Sequence, residues 1–158
     1  MQNNTQNNTH NTQNNVNNII SSLIQNNCIK TGNFTLKSGQ ISKYYYDIKN
    51  IISYPPLLIQ ISELLYQNIL LSNIQFDILC AIPLGSLPIT SYISQKYNIP
   101  MIVLRNSSKT YGTKSDIDGV IPSKDCKCII IDDVITSGLS INNALLSLKD
   151  KINVVATA

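Results

Sequence analysis

The chain has 158 residues, of which 43% are hydrophobic and 13% charged, and its formal net charge is +3. This length fits one compact domain, and no apolar run approaches the roughly 20 residues that span a bilayer, so we expect no membrane segment. The basic residues are eleven scattered lysines and one arginine, which does not favour a nucleic-acid partner.

The N-terminal part is predicted to be a tail, then a helix, then a hairpin. Residues 1–18 are almost entirely Asn, Gln and Thr, so we predict a disordered tail followed by one folded domain over 19–158. From Ile19, apolar residues recur at helical spacing, which predicts a short amphipathic helix ended by Gly32. Two β-prone segments, 34–37 and 44–48, then predict a hairpin or hood.

The rest of the chain alternates between helical and strand-like segments. A broad apolar face predicts a helix that starts at Pro55. Apolar strands are then predicted at 77–82, 100–104, 128–131 and 152–157, with helices at 87–97 and 139–148. This order predicts an α/β fold, in which helices flank a parallel sheet and ligands bind beyond the carboxyl ends of the strands.

The four cysteines are predicted to be reduced thiols in the cytoplasm. Three lie in or beside strand-like segments, and no secretory signal precedes them. Cys126 and Cys128 would share one face of a strand, but no second pair with zinc spacing follows and the only histidine, His10, lies in the tail. Packed thiols are therefore favoured over a metal site.

The strongest functional pattern is IIIDDVITSGLS, residues 129–140. A buried strand ends in two acids, and a loop of small and hydroxyl residues then leads into a helix. Amides at the helix N-terminus, with the hydroxyls of Thr136, Ser137 and Ser140, predict a phosphate cradle.

The two acids, Asp132 and Asp133, would repel a phosphate but can accept hydrogen bonds from vicinal hydroxyls. A ribose 5-phosphate carries both groups. The alternative is that the acids only end a strand and the loop only caps a helix, and the complete order of the segment favours the cradle over it.

This segment is similar to the phosphoribosyl-diphosphate signature of type I phosphoribosyltransferases. Three further stretches resemble orotate phosphoribosyltransferases in the same order, namely FTLKSGQISKYYYDIKNI at 34–51, FDILCAIPLGSLPIT at 76–90 and RNSSKTYGTKSDIDG at 105–119. The resemblance implies a type I fold with a small N-terminal hood. It also implies transfer of the 5-phosphoribosyl group from 5-phosphoribosyl 1-diphosphate to orotate in UMP biosynthesis, giving orotidine 5'-monophosphate and diphosphate, with Mg²⁺ accompanying the diphosphate.

The same resemblance implies which residues act. Lys109 would close over the diphosphate as a catalytic residue together with the two acids, with Arg105 assisting and Tyr111 adding a hydroxyl. The remaining substrate contacts would be Lys37, Tyr45 and Tyr46 for orotate, the amides of Leu84 and Gly85 for the diphosphate, and the cradle residues Val134, Ile135, Thr136, Ser137, Gly138, Leu139 and Ser140.

Several features depart from the family pattern. Asn106 stands where many members have a second lysine, and Gly85 where bacterial members often have lysine. The family continues beyond the position of Ala158 to an Asp-Arg pair whose arginine holds the orotate carboxylate, so we expect the C-terminal part of the domain to be missing here. The resemblance further implies a homodimer. The alternatives are a non-catalytic module that binds phosphoribosyl diphosphate and, third, a purine phosphoribosyltransferase.

Overall fold

The structure is a computed structural model that describes residues 15–35, 39–105 and 116–158. The chain divides into two compact units, Met1–Gln60 and Ile61–Ala158. The first unit holds helix α1 (residues 15–25), the antiparallel strands β1 (Ile29–Thr35) and β2 (Ile41–Tyr46), the 3-10 helix Ile48–Ser53 and the start of helix α2 (Pro55–Leu71). The predicted hairpin and the helix from Pro55 are thereby confirmed.

The end of α1 differs from the prediction. Asn27 takes the left-handed conformation (φ 55°), and the Cys28 N–H donates to the Leu23 carbonyl at 2.8 Å, which closes the helix before Gly32. Gly32 instead lies inside β1, which begins at Ile29. At the other end, residues 15–18, assigned to the tail from composition, are already helical.

The second unit contains a five-stranded sheet in the order β5-β4-β3-β6-β7. Strands β3, β4, β6 and β7 are parallel, and the short β5 pairs antiparallel with β4. The elements are β3 (Ile78–Ala81), α3 (Ser86–Tyr97), β4 (Met101–Leu104), β5 (Ile117–Asp118), β6 (Lys127–Ile131), α4 (Leu139–Leu148) and β7 (Asn153–Thr157). Every predicted strand and helix of this unit is present, and β5 is additional.

One core cluster of the second unit lies on one face of this sheet, and the alternate residues Leu79, Ile129 and Ile131 are buried as well. Alternate residues of β3 and β6, including Ile78 and Ile130, pack there with Ala144 and Leu148 of α4. Cys80, Cys126 and Cys128 belong to the same cluster, and all four cysteines are free, buried thiols. A hydrogen bond with Cys80, together with burial, raises the pKa of Cys128. Helices long and apolar enough to cross a membrane are absent from the three described ranges.

Candidate functional site

The candidate site lies at the point where the sheet order reverses. From β3 the chain passes through α3 to β4 on one side, whereas β6 pairs with the other side of β3. Ala81 and Ile131 are partners in the β3–β6 register, so both strands end at the same level. In parallel sheets such a reversal opens a crevice beyond the carboxyl ends of the strands. The turn after β3 and the acid pair after β6 flank it.

The acid pair extends directly from β6. The Asp132 N–H donates to the Ala158 carbonyl at 3.0 Å, which continues the ladder with the last strand. The Asp133 N–H donates to Asp132 Oδ1 at 3.0 Å. Burial raises the pKa of Asp132, and the neighbouring charge of Asp133 acts in the same direction. The sheet therefore fixes two half-buried carboxylates at one edge, where they can accept hydrogen bonds from ligand hydroxyls.

The predicted cradle connects the acid pair to α4. Gly138 is the N-cap residue with φ 74°, a left-handed conformation that disfavours a side chain and turns the chain into the helix. The Asn142 N–H donates to the Gly138 carbonyl at 2.9 Å, which begins the hydrogen-bonding pattern of the helix. The backbone N–H groups of the first helical turn come before this bond and point out of the N-terminal end of the helix. Ile135 and Leu139 are exposed, which leaves the loop open to a ligand. This arrangement can bind an anion through backbone amides.

Buried hydroxyls hold the turn between β3 and α3. Ser86 Oγ donates to the Ile82 carbonyl at 2.7 Å, and Thr90 Oγ1 donates to the Ser86 carbonyl at 2.8 Å. Both hydroxyl residues are fully buried, whereas Leu84 is 73% exposed. The turn is thus anchored from inside, with Gly85 also buried, while Leu84 faces solvent.

Gly85 and Asp133 lie against each other across the crevice. A Cβ atom added to Gly85 would overlap the Asp133 carboxylate. The backbone of Gly85 is right-handed helical (φ −67°, ψ −38°), which any residue can adopt, so the position of the Asp133 side chain rather than backbone strain favours a glycine here. Two residues that the sequence assigned separately, one to the diphosphate and one to the ribose, are therefore adjacent.

Arg105 follows β4, at the same edge of the sheet. Its guanidinium contacts both carboxylate oxygens of Asp118, with Nε donating to Oδ2 at 2.6 Å and Nη2 donating to Oδ1. Its backbone N–H donates to the Asp116 carbonyl at 2.9 Å. Arg105 thus lies one strand away from the turn after β3, on the side opposite the acid pair.

The hairpin of the first unit carries Tyr45 and Tyr46. Tyr45 packs against Phe34, with ring centroids 5.5 Å apart, and Lys30 Nζ lies 5.9 Å from the Tyr45 ring centroid. Asp47 holds this lysine in place at 3.1 Å. Because adjacent residues of a strand point to opposite faces, Tyr45 and Tyr46 do not share a face of the hairpin.

Three predicted site residues, Lys37, Lys109 and Tyr111, lie outside the described residues. Conversely, sequence reasoning missed Asp118 and the buried pair Ser86 and Thr90. The spacing of Ser86 and Thr90 by one helical turn was a usable signal, since such hydroxyls bond the carbonyl four residues back. Asp118 gave no comparable signal, because it meets Arg105 only through the pairing of β4 with β5.

Comparison with known proteins identifies the family. Residues 47–154 match the family model described as "Phosphoribosyl transferase domain". The chain belongs to the phosphoribosyltransferase family. This membership agrees with the type I resemblance of the acid pair and cradle, which lie within the matched range.

Within the phosphoribosyltransferase family, several of the similar proteins are named orotate phosphoribosyltransferase. The chain is 34% identical to orotate phosphoribosyltransferase of Caenorhabditis elegans over 137 residues, which are 87% of this chain and 60% of the relative. It is 40% identical to that of Methanosphaera stadtmanae over 131 residues, 81% of this chain and 70% of the relative. The structure of Leishmania donovani UMP synthase superposes with a TM-score of 0.76 at 30% identity, covering 89% of this chain and 30% of that one. The resemblance and fold class predicted from sequence are confirmed.

Proposed function

We propose that this chain acts as an orotate phosphoribosyltransferase in pyrimidine biosynthesis. It would transfer the 5-phosphoribosyl group from 5-phosphoribosyl 1-diphosphate to orotate, giving orotidine 5'-monophosphate and diphosphate. The observation that most supports this proposal is the crevice where the sheet order reverses. The acid pair and the open cradle lie on one side of it, and the turn at Gly85 lies on the other. Similarity to orotate phosphoribosyltransferases supports the choice of orotate as the acceptor.

Each part of the crevice has a role in this proposal. The 5-phosphate binds the cradle amides and the hydroxyls of Thr136, Ser137 and Ser140, while Asp132 and Asp133 accept hydrogen bonds from the ribose hydroxyls. The amides of Leu84 and Gly85 and the guanidinium of Arg105 meet the diphosphate. The acids that would repel a phosphate thus lie where the ligand offers hydroxyls.

The chemical step breaks the bond between C1 of the ribose and the diphosphate oxygen, and the bonding electrons leave with the diphosphate. A ring nitrogen of orotate forms the new bond to C1, which carries oxocarbenium-like positive charge at the transition state, and the proton of that nitrogen passes to the departing diphosphate or to water. The protein's task is to neutralise the departing diphosphate and to hold the two reactants in line. We assign the cation that meets the developing charge to Lys109, with Tyr111 adding a donor, and the orotate contacts to Lys37, Tyr45 and Tyr46.

A magnesium ion bound with the diphosphate is part of the proposal. In the ranges 15–35, 39–105 and 116–158, no cluster of three or more His, Cys, Asp or Glu residues could hold a metal. Mg²⁺ commonly binds through one or two carboxylates together with substrate phosphates and water, and the adjacent Asp132 and Asp133 fit that donor set. When bound, the ion neutralises charge on the diphosphate.

We also propose that residues 19–158 form the phosphoribosyltransferase domain and that the enzyme is a cytoplasmic homodimer. The buried free thiols support a reducing compartment. Light scattering of the purified chain tests the dimer, which predicts twice the 17.5 kDa chain mass.

A spectrophotometric assay of orotate consumption tests the activity. It is run with phosphoribosyl diphosphate and Mg²⁺, beside adenine, hypoxanthine and uracil as competing acceptors. We expect turnover with orotate only, and its loss in the double variant Asp132→Asn, Asp133→Asn. Asp125→Asn is the matched control, since Asp125 is an exposed carboxylate in the turn before β6 and should leave turnover unchanged. Turnover of a purine would contradict the assignment of orotate as the acceptor. Absence of any turnover would contradict the proposal that the chain is an enzyme.

A further inference from the structure

The ion pair between Arg105 and Asp118 is set by the pairing of two strands. Val103 of β4 and Asp118 of β5 are partners in the antiparallel register, and Arg105 follows two residues after Val103. Residues two apart on a strand share a face, so Arg105 is a diagonal neighbour of Asp118, within reach of a long side chain. The guanidinium donates to both carboxylate oxygens of Asp118. This bidentate, planar contact fixes the orientation of the guanidinium.

We propose that Asp118 is a positioning residue, which holds the guanidinium of Arg105 at the end of β4 in the orientation that meets the diphosphate of the substrate. This inference rests on the proposed function, because it assumes that Arg105 binds the diphosphate. A guanidinium has five N–H donors, more than one carboxylate can use, so Asp118 and a phosphate oxygen can be accommodated together.

Exposure favours an orienting role over a stabilising one. The Asp118 side chain is 52% exposed and that of Arg105 20%. Ion pairs with this degree of exposure contribute little to folding stability, because water screens the attraction. A flexible arginine, by contrast, loses side-chain entropy whenever it is ordered on a ligand, and a pre-existing pair removes much of that cost.

A second ion pair, formed by the residue two positions before Asp118, provides a matched control. Lys151 Nζ lies 2.9 Å and 3.1 Å from the two carboxylate oxygens of Asp116, two residues before Asp118. This contact lowers the pKa of Asp116. Asp116→Asn removes the same charge from the same segment but leaves the Arg105–Asp118 pair in place.

The experiment measures kcat and KM for phosphoribosyl diphosphate, and the affinity for inorganic diphosphate with Mg²⁺ by calorimetry. We expect Asp118→Ala to raise KM and weaken diphosphate binding by about three- to tenfold, the cost of ordering one long side chain on binding, with thermal unfolding unchanged. Asp118→Glu should restore most of the affinity, and Asp116→Asn should stay within about twofold of wild type. In an Arg105→Ala background, Asp118→Ala should have no further effect.

The outcomes separate this inference from the proposed function. Asp118 only neutralises the arginine if Asp118→Ala leaves diphosphate affinity unchanged or increases it while Arg105→Ala weakens it. In that case this inference fails and the proposed function stands. An effect of Asp118→Ala that persists without Arg105 also overturns the inference. Wild-type protein that binds neither diphosphate nor phosphoribosyl diphosphate would overturn both.

Discussion

Replacing Gly85 by alanine should disturb the site without disturbing the fold. The right-handed backbone of Gly85 accepts any residue, and a Gly-to-Ala change at a helix N-cap alters stability by only about 1 kcal/mol. The added methyl group, however, would occupy the space of the Asp133 carboxylate. Since that carboxylate is the movable end of a short side chain, we expect Asp133 to rotate away rather than the turn to unfold.

The magnitude follows from what Asp133 is proposed to do. Losing one hydrogen bond between the carboxylate and a ribose hydroxyl costs about 1.5–3 kcal/mol, because one partner is charged. The Kd for phosphoribosyl diphosphate, measured by calorimetry with Mg²⁺, should therefore rise about ten- to hundredfold in Gly85→Ala. Thermal unfolding of the same sample verifies that the variant is folded.

A double-mutant cycle tests whether the effect passes through Asp133. In an Asp133→Ala background the carboxylate is gone, so Gly85→Ala should change the Kd by no more than about twofold. The reasoning is refuted if Gly85→Ala binds like wild type, or if it weakens binding equally in both backgrounds.

Two further substitutions address the acid pair and the cradle. Burial raises the pKa of Asp132, so its ionised form is less favourable in the folded than in the unfolded chain. We therefore expect Asp132→Asn to raise the melting temperature at neutral pH while lowering turnover. The difference in stability should vanish as the pH falls through the carboxyl titration, where Asp132 becomes neutral in both states. Melting curves from pH 3 to 8 measure this, and equal melting temperatures at neutral pH would contradict it. Gly138→Ala should cost about 1–2 kcal/mol in urea unfolding, because φ is 74° there, whereas Gly138→Asn should cost less; an equal loss in both variants would indicate that backbone conformation is not the cause.

Local sequence patterns predicted much of the second unit. The order of strand, two acids, hydroxyl loop and helix is continuous in the chain, and α4 begins and ends where the spacing placed it, at Leu139 and Leu148. The apolar runs of β3 and β6 indicated buried parallel strands, and both strands pair as such. These features depend on neighbours in sequence, which a single sequence displays directly.

Features that depend on strand pairing or competing turn residues were not predictable in this way. The contact between Gly85 and Asp133 joins two residues that are 48 positions apart in the sequence. Their loops meet only when β3 and β6 pair. The end of α1 was misplaced because Gly32 is the stronger helix-stop residue in general, yet Asn27 takes the left-handed conformation first. The short strand β5, and with it Asp118, has too few residues to produce a pattern.

The central claim is that the crevice between β3 and β6 binds phosphoribosyl diphosphate through the acid pair and the cradle. Calorimetry of this ligand with Mg²⁺ tests it most directly, on wild type, on the double variant Asp132→Asn, Asp133→Asn, and on Asp125→Asn as control. We predict saturable binding by wild type and the control, weakened at least about tenfold in the double variant. Undetectable binding by folded wild-type protein up to millimolar ligand, or equal affinity in the double variant, would contradict the claim.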